Sequence, residues 1–164
     1  MIKKRSSIFE TNSSSTHSVA ITKKENLEKS YLIPEEDGYI HTRFEEYGWE
    51  VTSYHSQEEK LSYIVTMIAE INGIKTNWFD NTEEFELTRT SLCDNCQDWI
   101  NLDNEVYSYT GYHLYLDDSD GYIDHQSHED YRSMNDYFHD WGIDSYTQFI
   151  FDTAITVYTD NDNH

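Results

Sequence analysis

The stretch Ser56–Gly73, SQEEKLSYIVTMIAEING, decides the fold class. Ser56 and Glu59 have the spacing of a capping box, in which the hydroxyl accepts from the backbone N–H three residues on and the carboxylate reaches back. Leu61, Ile64, Met67, Ile68 and Ile71 then recur at steps that share one face of a 3.6-residue turn. Gly73 supplies the residue that tolerates the left-handed backbone of a helix end. The spacing predicts a helix over 57–72. Two other stretches alternate instead. Ser18-Val19-Ala20-Ile21-Thr22 reads as a strand, and the β-branched run from Ala154 to Thr159 reads as a final strand.

Between these anchors the signals are shorter. Tyr31-Leu32-Ile33-Pro34, the turn pair Asp37-Gly38 and then Tyr39–Phe44 predict a hairpin, with Pro34 at an edge or strand end. A weaker helix is expected in parts of 82–100. Tyr107, Tyr109, His113, Tyr115 and Tyr122, around Gly111 and Gly121, read as antiparallel strands. Residues 128–152 read as helical with a break near Gly142, and the polar tail 160–164 as frayed. The expectation is an α+β fold: a small, mostly antiparallel sheet packed with two to four helices. No internal repeat or Pro/Gly-rich linker divides the chain, so residues 1–164 are expected to form a single domain, stapled by a metal ion.

Composition narrows the function. The 164 residues carry 11 basic and 32 acidic side chains, a formal net charge of −21. A surface that grips a phosphate backbone needs clustered Lys and Arg, so direct nucleic-acid binding is disfavoured. An anionic membrane surface is disfavoured for the same reason, and no apolar run approaches a membrane span. The start MIKKRSSIFE lacks the apolar stretch of a secretion signal. Aromatic content of 15% sets the chain apart from disordered acidic tails, which are poor in aromatics. Two cysteines three positions apart make no disulfide scaffold, so a reducing cytoplasm is the expected location.

The charge is uneven. Residues 1–89 hold 10 basic and 16 acidic groups; residues 90–164 hold Arg132 and 16 acidic groups, 14 of them Asp. The N-terminal end is thus more basic, and an Asp-rich half begins at about residue 90. Asp has a short stem, which fixes its charge close to the main chain. One reading is a surface kept soluble by charge; the other is a face shaped for a basic partner. Asp117, Asp118, Asp120, Asp136, Asp140 and Asp144 are the residues expected to form such a face.

Cys93-Asp94-Asn95-Cys96 is a CxxC, whose spacing lets two thiolates converge on one ion. Asp124-His125-Gln126-Ser127-His128 adds two imidazoles. Two sulfurs and two nitrogens suit tetrahedral zinc. The expected ligands are Cys93, Cys96, His125 and His128, with His17 as an alternative fourth and Asp124 as a partner for an imidazole. Four protein ligands close the site and make the zinc structural, whereas an open position would make it catalytic. A redox pair lacks its βαβ setting, and two ordinary buried cysteines are the plain alternative. Asp117–Gly121, DDSDG, fails the calcium-loop pattern and reads as an Asp-rich hairpin turn. The serines of Thr11–Ser18 beside His17 lack a third catalytic group and fit capping and turning. No Gly-rich phosphate loop or G-x-S-x-G elbow is present.

Phe9-Glu10-Thr11-Asn12-Ser13-Ser14-Ser15-Thr16-His17-Ser18 resembles the opening of a family of uncharacterised proteins from bacteriophages and prophages of Gram-positive hosts. Tyr47-Gly48-Trp49-Glu50, Lys60-Leu61-Ser62-Tyr63 and Tyr122–Ser127 are similar to further shared stretches. His17 and His125 fall within them. The resemblance implies a phage protein, and phages encode small acidic proteins that disable host nucleases. It points to an anti-CRISPR protein, a non-enzymatic inhibitor of a type II RNA-guided nuclease, whose basic channels would attract this charge. The alternatives are a zinc-dependent hydrolase or nucleotide-modifying phage enzyme, and a virion protein.

Overall fold

The expected central helix is present. In the structure, a computed structural model that describes residues 15–21, 26–48, 51–76, 82–123 and 131–161, α1 spans Gln57–Ile71. Its capping box is complete: the Glu59 N–H donates to Ser56 Oγ at 3.1 Å, and the Ser56 N–H donates to Glu59 Oε2 at 2.9 Å. Gly73, at φ +66°, takes the left-handed position past its end. Leu61, Ile64, Val65, Met67 and Ile68 are buried on several sides, and burying each contributes roughly 1.5–3 kcal/mol before chain entropy is counted. α1 is therefore the spine of the core rather than a surface helix.

Around it, among the described residues, lie seven strands and four further helices. The strands are β1 (Ser15–Ile21), β2 (Ile40–Thr42), β3 (Glu46–Tyr47), β4 (Thr52–Tyr54), β5 (Leu114–Leu116), β6 (Tyr122–Ile123) and β7 (Ile155–Asn161). The helices are α2 (Thr82–Asn95), α3 (Gln97–Thr110), α4 (Met134–Trp141) and α5 (Tyr146–Phe151). This is the expected mixture of helix and strand, with five helices rather than two to four. β7 is the centre of an antiparallel sheet ordered β1-β7-β4, with Val19 opposite Val157 and Tyr54 opposite Val157 on the other side. Ile155, Val157 and Thr159 point inward, as period-2 alternation requires. The strand continues through Asp160 and Asn161, two residues expected to fray.

Three local expectations change. The hairpin at Tyr31–Phe44 keeps its turn, in which the Gly38 N–H donates to Glu35 O at 2.9 Å, but Tyr31–Pro34 is not a strand. Its backbone is held elsewhere: the Tyr31 N–H donates to Gln57 Oε1 on α1 at 2.7 Å. β2 pairs instead with β5, in parallel, with His41 opposite Tyr115. β3 pairs with β6, also in parallel. Parallel pairing needs a long crossover, supplied here by β4 and α1 to α3. Tyr107 and Tyr109, expected in strands, lie in α3, whose inward face is Trp99, Leu102 and Val106. Finally, Asp117–Gly121 is a crossover from β5 to β6 rather than a hairpin turn.

That crossover is tightly pinned. The Asp117 N–H donates to Thr42 O, the Phe44 N–H donates to Ser119 Oγ, and the Gly121 N–H donates to Thr76 O. The Thr76 hydroxyl donates to Gly121 O. A Cβ on Gly121 would lie 2.4–2.7 Å from backbone atoms of Glu45, so only glycine fits.

The remaining core is tyrosine-rich. Tyr47 meets Tyr54 and Tyr63 edge-on at 5.0 and 5.1 Å, and Phe138 meets Tyr146 edge-on at 4.9 Å. Trp99 and Trp141 are buried, as expected of core residues. Ser133 and Ser145 cap α4 and α5 by accepting from the N–H groups of Asp136 and Gln148.

Candidate functional site

β2 alternates strictly. Ile40 and Thr42 are buried, which turns Tyr39, His41 and Arg43 outward. On β5, Leu114 and Leu116 are buried, which turns His113, Tyr115 and Asp117 outward beside them. The two triplets form one face. His41 stacks on Tyr115 at 4.9 Å, Tyr39 meets Tyr115 edge-on at 6.1 Å, and Tyr107 of α3 stacks on His113 at 4.1 Å. The Arg89 guanidinium of α2 lies 4.5 Å over the Tyr115 ring. Tyr39 and Tyr107 are both more than two-fifths exposed.

His41 is clamped between carboxylates. Its Nδ1 is 2.7 Å from Asp117 Oδ1, its Nε2 is 2.9 Å from Asp37 Oδ2, and Glu35 Oε2 lies 3.8 Å from Nε2. Burial is the largest single influence on the ring and disfavours its charge. The hydrogen bonds to Asp37 and Asp117, with the charges of Asp117 and Glu35, together outweigh it and raise the pKa. The hydrogen bond to His41 lowers the Asp37 pKa in turn. An imidazole with a carboxylate on each nitrogen holds a proton well and has no free nitrogen with which to take one from a substrate.

Next to this clamp is a cleft of about 290 Å³ between β2 and the first half of α1. Leu32 and Leu61 give it an apolar base, and Thr42 and Ser62 add two hydroxyl side chains. Glu35, Glu45, Glu58, Glu59 and Asp117 wall it, against His41 and Arg43. Four of these carboxylates already have partners: Glu59 in the capping box, Glu45 with Arg43 Nε at 2.9 Å, and Asp117 and Glu35 with His41 at 2.7 and 3.8 Å. Thr42 is buried, and its Oγ1 makes no hydrogen bond among the described residues.

No protein-family model, curated protein or solved structure matches the chain. The site is therefore read from its own geometry.

The expected acidic face divides between two places. Asp117, Asp118 and Asp120 lie on the β5–β6 crossover, where Asp117 belongs to the His41 clamp. Asp136 and Asp140 lie on α4, and Asp144 follows it, on a smaller hollow lined also by Asn101 and Glu105 of α3. Asp136 sits in the first turn of α4, where its charge favours the helix.

Of the expected zinc ligands, Cys93 is in the last turn of α2 and Cys96 is the residue between α2 and α3. Both are free thiols. Burial pushes the Cys93 thiol up to about 12, against the lowering influence of Arg89. Burial also raises Cys96, opposed by the backbone N–H groups of Trp99 and Asp98. The pair is thus held protonated, and ligation would have to expel both protons. Among the described residues, no three His, Cys, Asp or Glu side chains converge in a way that would hold a metal ion. His17 lies on β1 opposite Thr159, and His125, His128 and Asp124 lie outside the described residues.

The sequence reading did not single out His41, Thr42 or Glu58. The available signal was alternation: Tyr39, His41 and Arg43 stand at every second position, and Asp37 lies four residues before His41. The partner strand was the missing part. Among the described residues, no helix is long and apolar enough to cross a membrane.

Proposed function

We propose that this protein is a phage-encoded, non-enzymatic inhibitor that binds a basic, nucleic-acid-handling host protein. The partner we favour is a type II RNA-guided nuclease, with nucleic-acid loading as the step blocked. The observation that carries this reading is the carboxylate-walled cleft beside the His41 clamp, on a chain of net charge −21. A basic channel would steer such a chain into contact, and the cleft offers a shaped surface once it arrives. The clamp also favours binding over catalysis, because both nitrogens of His41 are occupied by carboxylates.

Within the same proposal, a structural zinc is held by Cys93, Cys96 and His125, with His128 or His17 as the fourth ligand. The support is the position of the CxxC at the α2–α3 junction, where an ion would tie two helices together. The function is tested by adding the purified protein to the nuclease before or after guide RNA and target DNA. Inhibition that is strong before loading, weak after loading and reduced by salt is expected. Absence of binding to the nuclease in both states overturns the reading.

A further inference from the structure

We infer, resting on that reading, that the cleft beside β2 takes an extended segment of the partner's chain, which joins β2 as a further strand through main-chain hydrogen bonds.

The register of the β2–β5 pair is the starting point. The Ile40 N–H donates to His113 O at 2.9 Å, and the Asp117 N–H donates to Thr42 O at 2.8 Å. Ile40 and Thr42 thus turn their main-chain groups toward β5. A strand residue points its N–H and C=O to one side, and its neighbours point theirs to the other. The N–H and C=O of His41 and the N–H of Arg43 therefore face away from β5.

This outer edge is closed at both ends. Tyr39 O accepts from the Glu35 N–H, and the Tyr39 N–H donates to Asp37 Oδ1. At the other end the Glu45 N–H donates to Thr66 Oγ1 of α1. Between them, His41 N–H, His41 O and Arg43 N–H meet no partner among the described residues. The outer side of β5 differs, because its Leu114 N–H donates to Asp103 Oδ1 of α3 at 2.7 Å.

The cleft lies along the gap. It is lined by His41, Thr42 and Arg43 in succession, with Leu61 and Ser62 of α1 across from them. Alternate side chains leave a strand on opposite faces, so a space that touches three successive residues runs along the strand's edge. From His41 to Arg43 is about 6.6 Å, the rise of two residues of an added strand.

An open edge accepts any extended chain, so charge and packing choose the occupant. A second copy brings another −21, and the two repel. A segment of a basic protein is attracted instead. Side chains on the inner face of the added strand rest on the buried Leu32 and Leu61, which selects apolar residues at alternate positions.

The test uses the full-length protein and a displayed library of random dodecapeptides. Selected peptides are expected to carry apolar residues at every second position of the bound stretch. The tightest is remade with single N-methylated residues. Binding is expected to weaken about tenfold at alternate positions and little between them, because only alternate N–H groups face β2. Amide exchange followed by NMR gives a second readout. In the free protein, the His41 and Arg43 N–H groups are expected to exchange about tenfold or more faster than those of Ile40 and Thr42. Bound peptide is expected to slow both. Arg43→Pro removes an N–H that the fold leaves unused, at an edge where proline is tolerated. It is expected to bind about tenfold more weakly than Arg43→Ala, which keeps the N–H.

The inference is overturned if His41 and Arg43 exchange as slowly as Ile40 and Thr42 in the free protein at low concentration, since the chain then covers its own edge. Protection that appears only as protein concentration rises makes the occupant a second copy and overturns it too. So do a library that yields no binder, peptides that leave these two amides unchanged, and N-methyl effects without alternation. Equal binding by folded Arg43→Pro and Arg43→Ala does the same; where Arg43→Pro unfolds, the N-methyl series and the exchange rates decide. Any of these with nuclease inhibition intact leaves the inhibitor reading in place. A nuclease that the parent fails to bind overturns that reading whatever the peptides do.

Discussion

Lys60 offers a sharp test of the core. It is a lysine buried to 1% exposure on α1, the helix that also carries Glu58, Glu59 and Ser62 to the cleft. Its Nζ donates to Asp152 O at 2.9 Å and to Ile155 O at 3.5 Å, tying α1 to the end of α5 and the start of β7. Burial lowers its pKa to about 8, against the raising influence of Asp152 and Glu28. Lys60→Met keeps the stem and removes the charge. Two magnitudes then oppose one another. The lost hydrogen bonds from a charged donor cost about 1.5–3 kcal/mol. The relieved burial of the charge returns roughly 3 kcal/mol, from about 2.5 pKa units at 1.36 kcal/mol each. The variant should therefore lie within about 2 kcal/mol of the parent at pH 7.

The pH dependence separates this account from simple loss of a contact. A folded pKa below the unfolded value means that the unfolded chain binds more protons between about pH 8 and pH 10.5, so stability rises with pH there. At pH 9.5 the parent should have gained about 2 kcal/mol relative to Lys60→Met, compared with pH 7. Comparing the two proteins cancels the contribution of every titrating group that the substitution leaves in place. Urea denaturation followed by circular dichroism at both pH values gives the difference. A flat difference, or a loss above 4 kcal/mol at pH 7, refutes the reasoning.

Gly121→Ala forces a Cβ against the Glu45 backbone and should cost about 1–3 kcal/mol in urea denaturation; an unchanged midpoint contradicts the pinned crossover. The His41 clamp has a defined pH window. A raised imidazole pKa stabilises below about 6.5 and that stability is lost as pH rises through the folded value, while the lowered Asp37 pKa stabilises above about 3.8 and that stability is lost as pH falls. NMR titration should place His41 above the ordinary histidine value and show a fall in Asp117→Asn; no fall would show that Asp117 does not hold the proton. Metal analysis of the purified chain should find about one zinc per molecule, lost in Cys93→Ser. A metal-free parent protein contradicts the zinc proposal.

How far the fold is legible in the sequence depends on how local its causes are. α1 is read correctly because cap, periodicity and stop all lie within eighteen consecutive residues. β1 and β7 are read from their own alternation and β-branching. α4 and α5 are read from a helical pattern with a Gly142 break. Tyr107 and Tyr109 mislead because tyrosine favours strands; the deciding signal is Trp99, Leu102 and Val106 at helical spacing, followed by Gly111. The parallel pairs are not legible at all. β2 and β5 are three residues each and meet across more than seventy residues of chain, so nothing near either strand names its partner.

The candidate site shares that limit. His41 and Asp117 are 76 residues apart in sequence and 2.7 Å apart in space. The Asp-rich composition points to charge but not to its shape, and Asp117 alone of the six expected acidic residues enters the cleft. Tyrosine presents the same ambiguity: Tyr47, Tyr63 and Tyr137 are buried in the core, while Tyr39 and Tyr107 border the site. Composition cannot separate the two groups, because a phenol suits both environments.

The most direct test of the inhibitor reading is order-of-addition inhibition of a purified type II RNA-guided nuclease. The account predicts loss of target cleavage when the full-length protein is added before nucleic acid, relieved by salt. A nuclease that cleaves at full rate with the protein present in excess and neither binds it nor changes its loading would contradict the account.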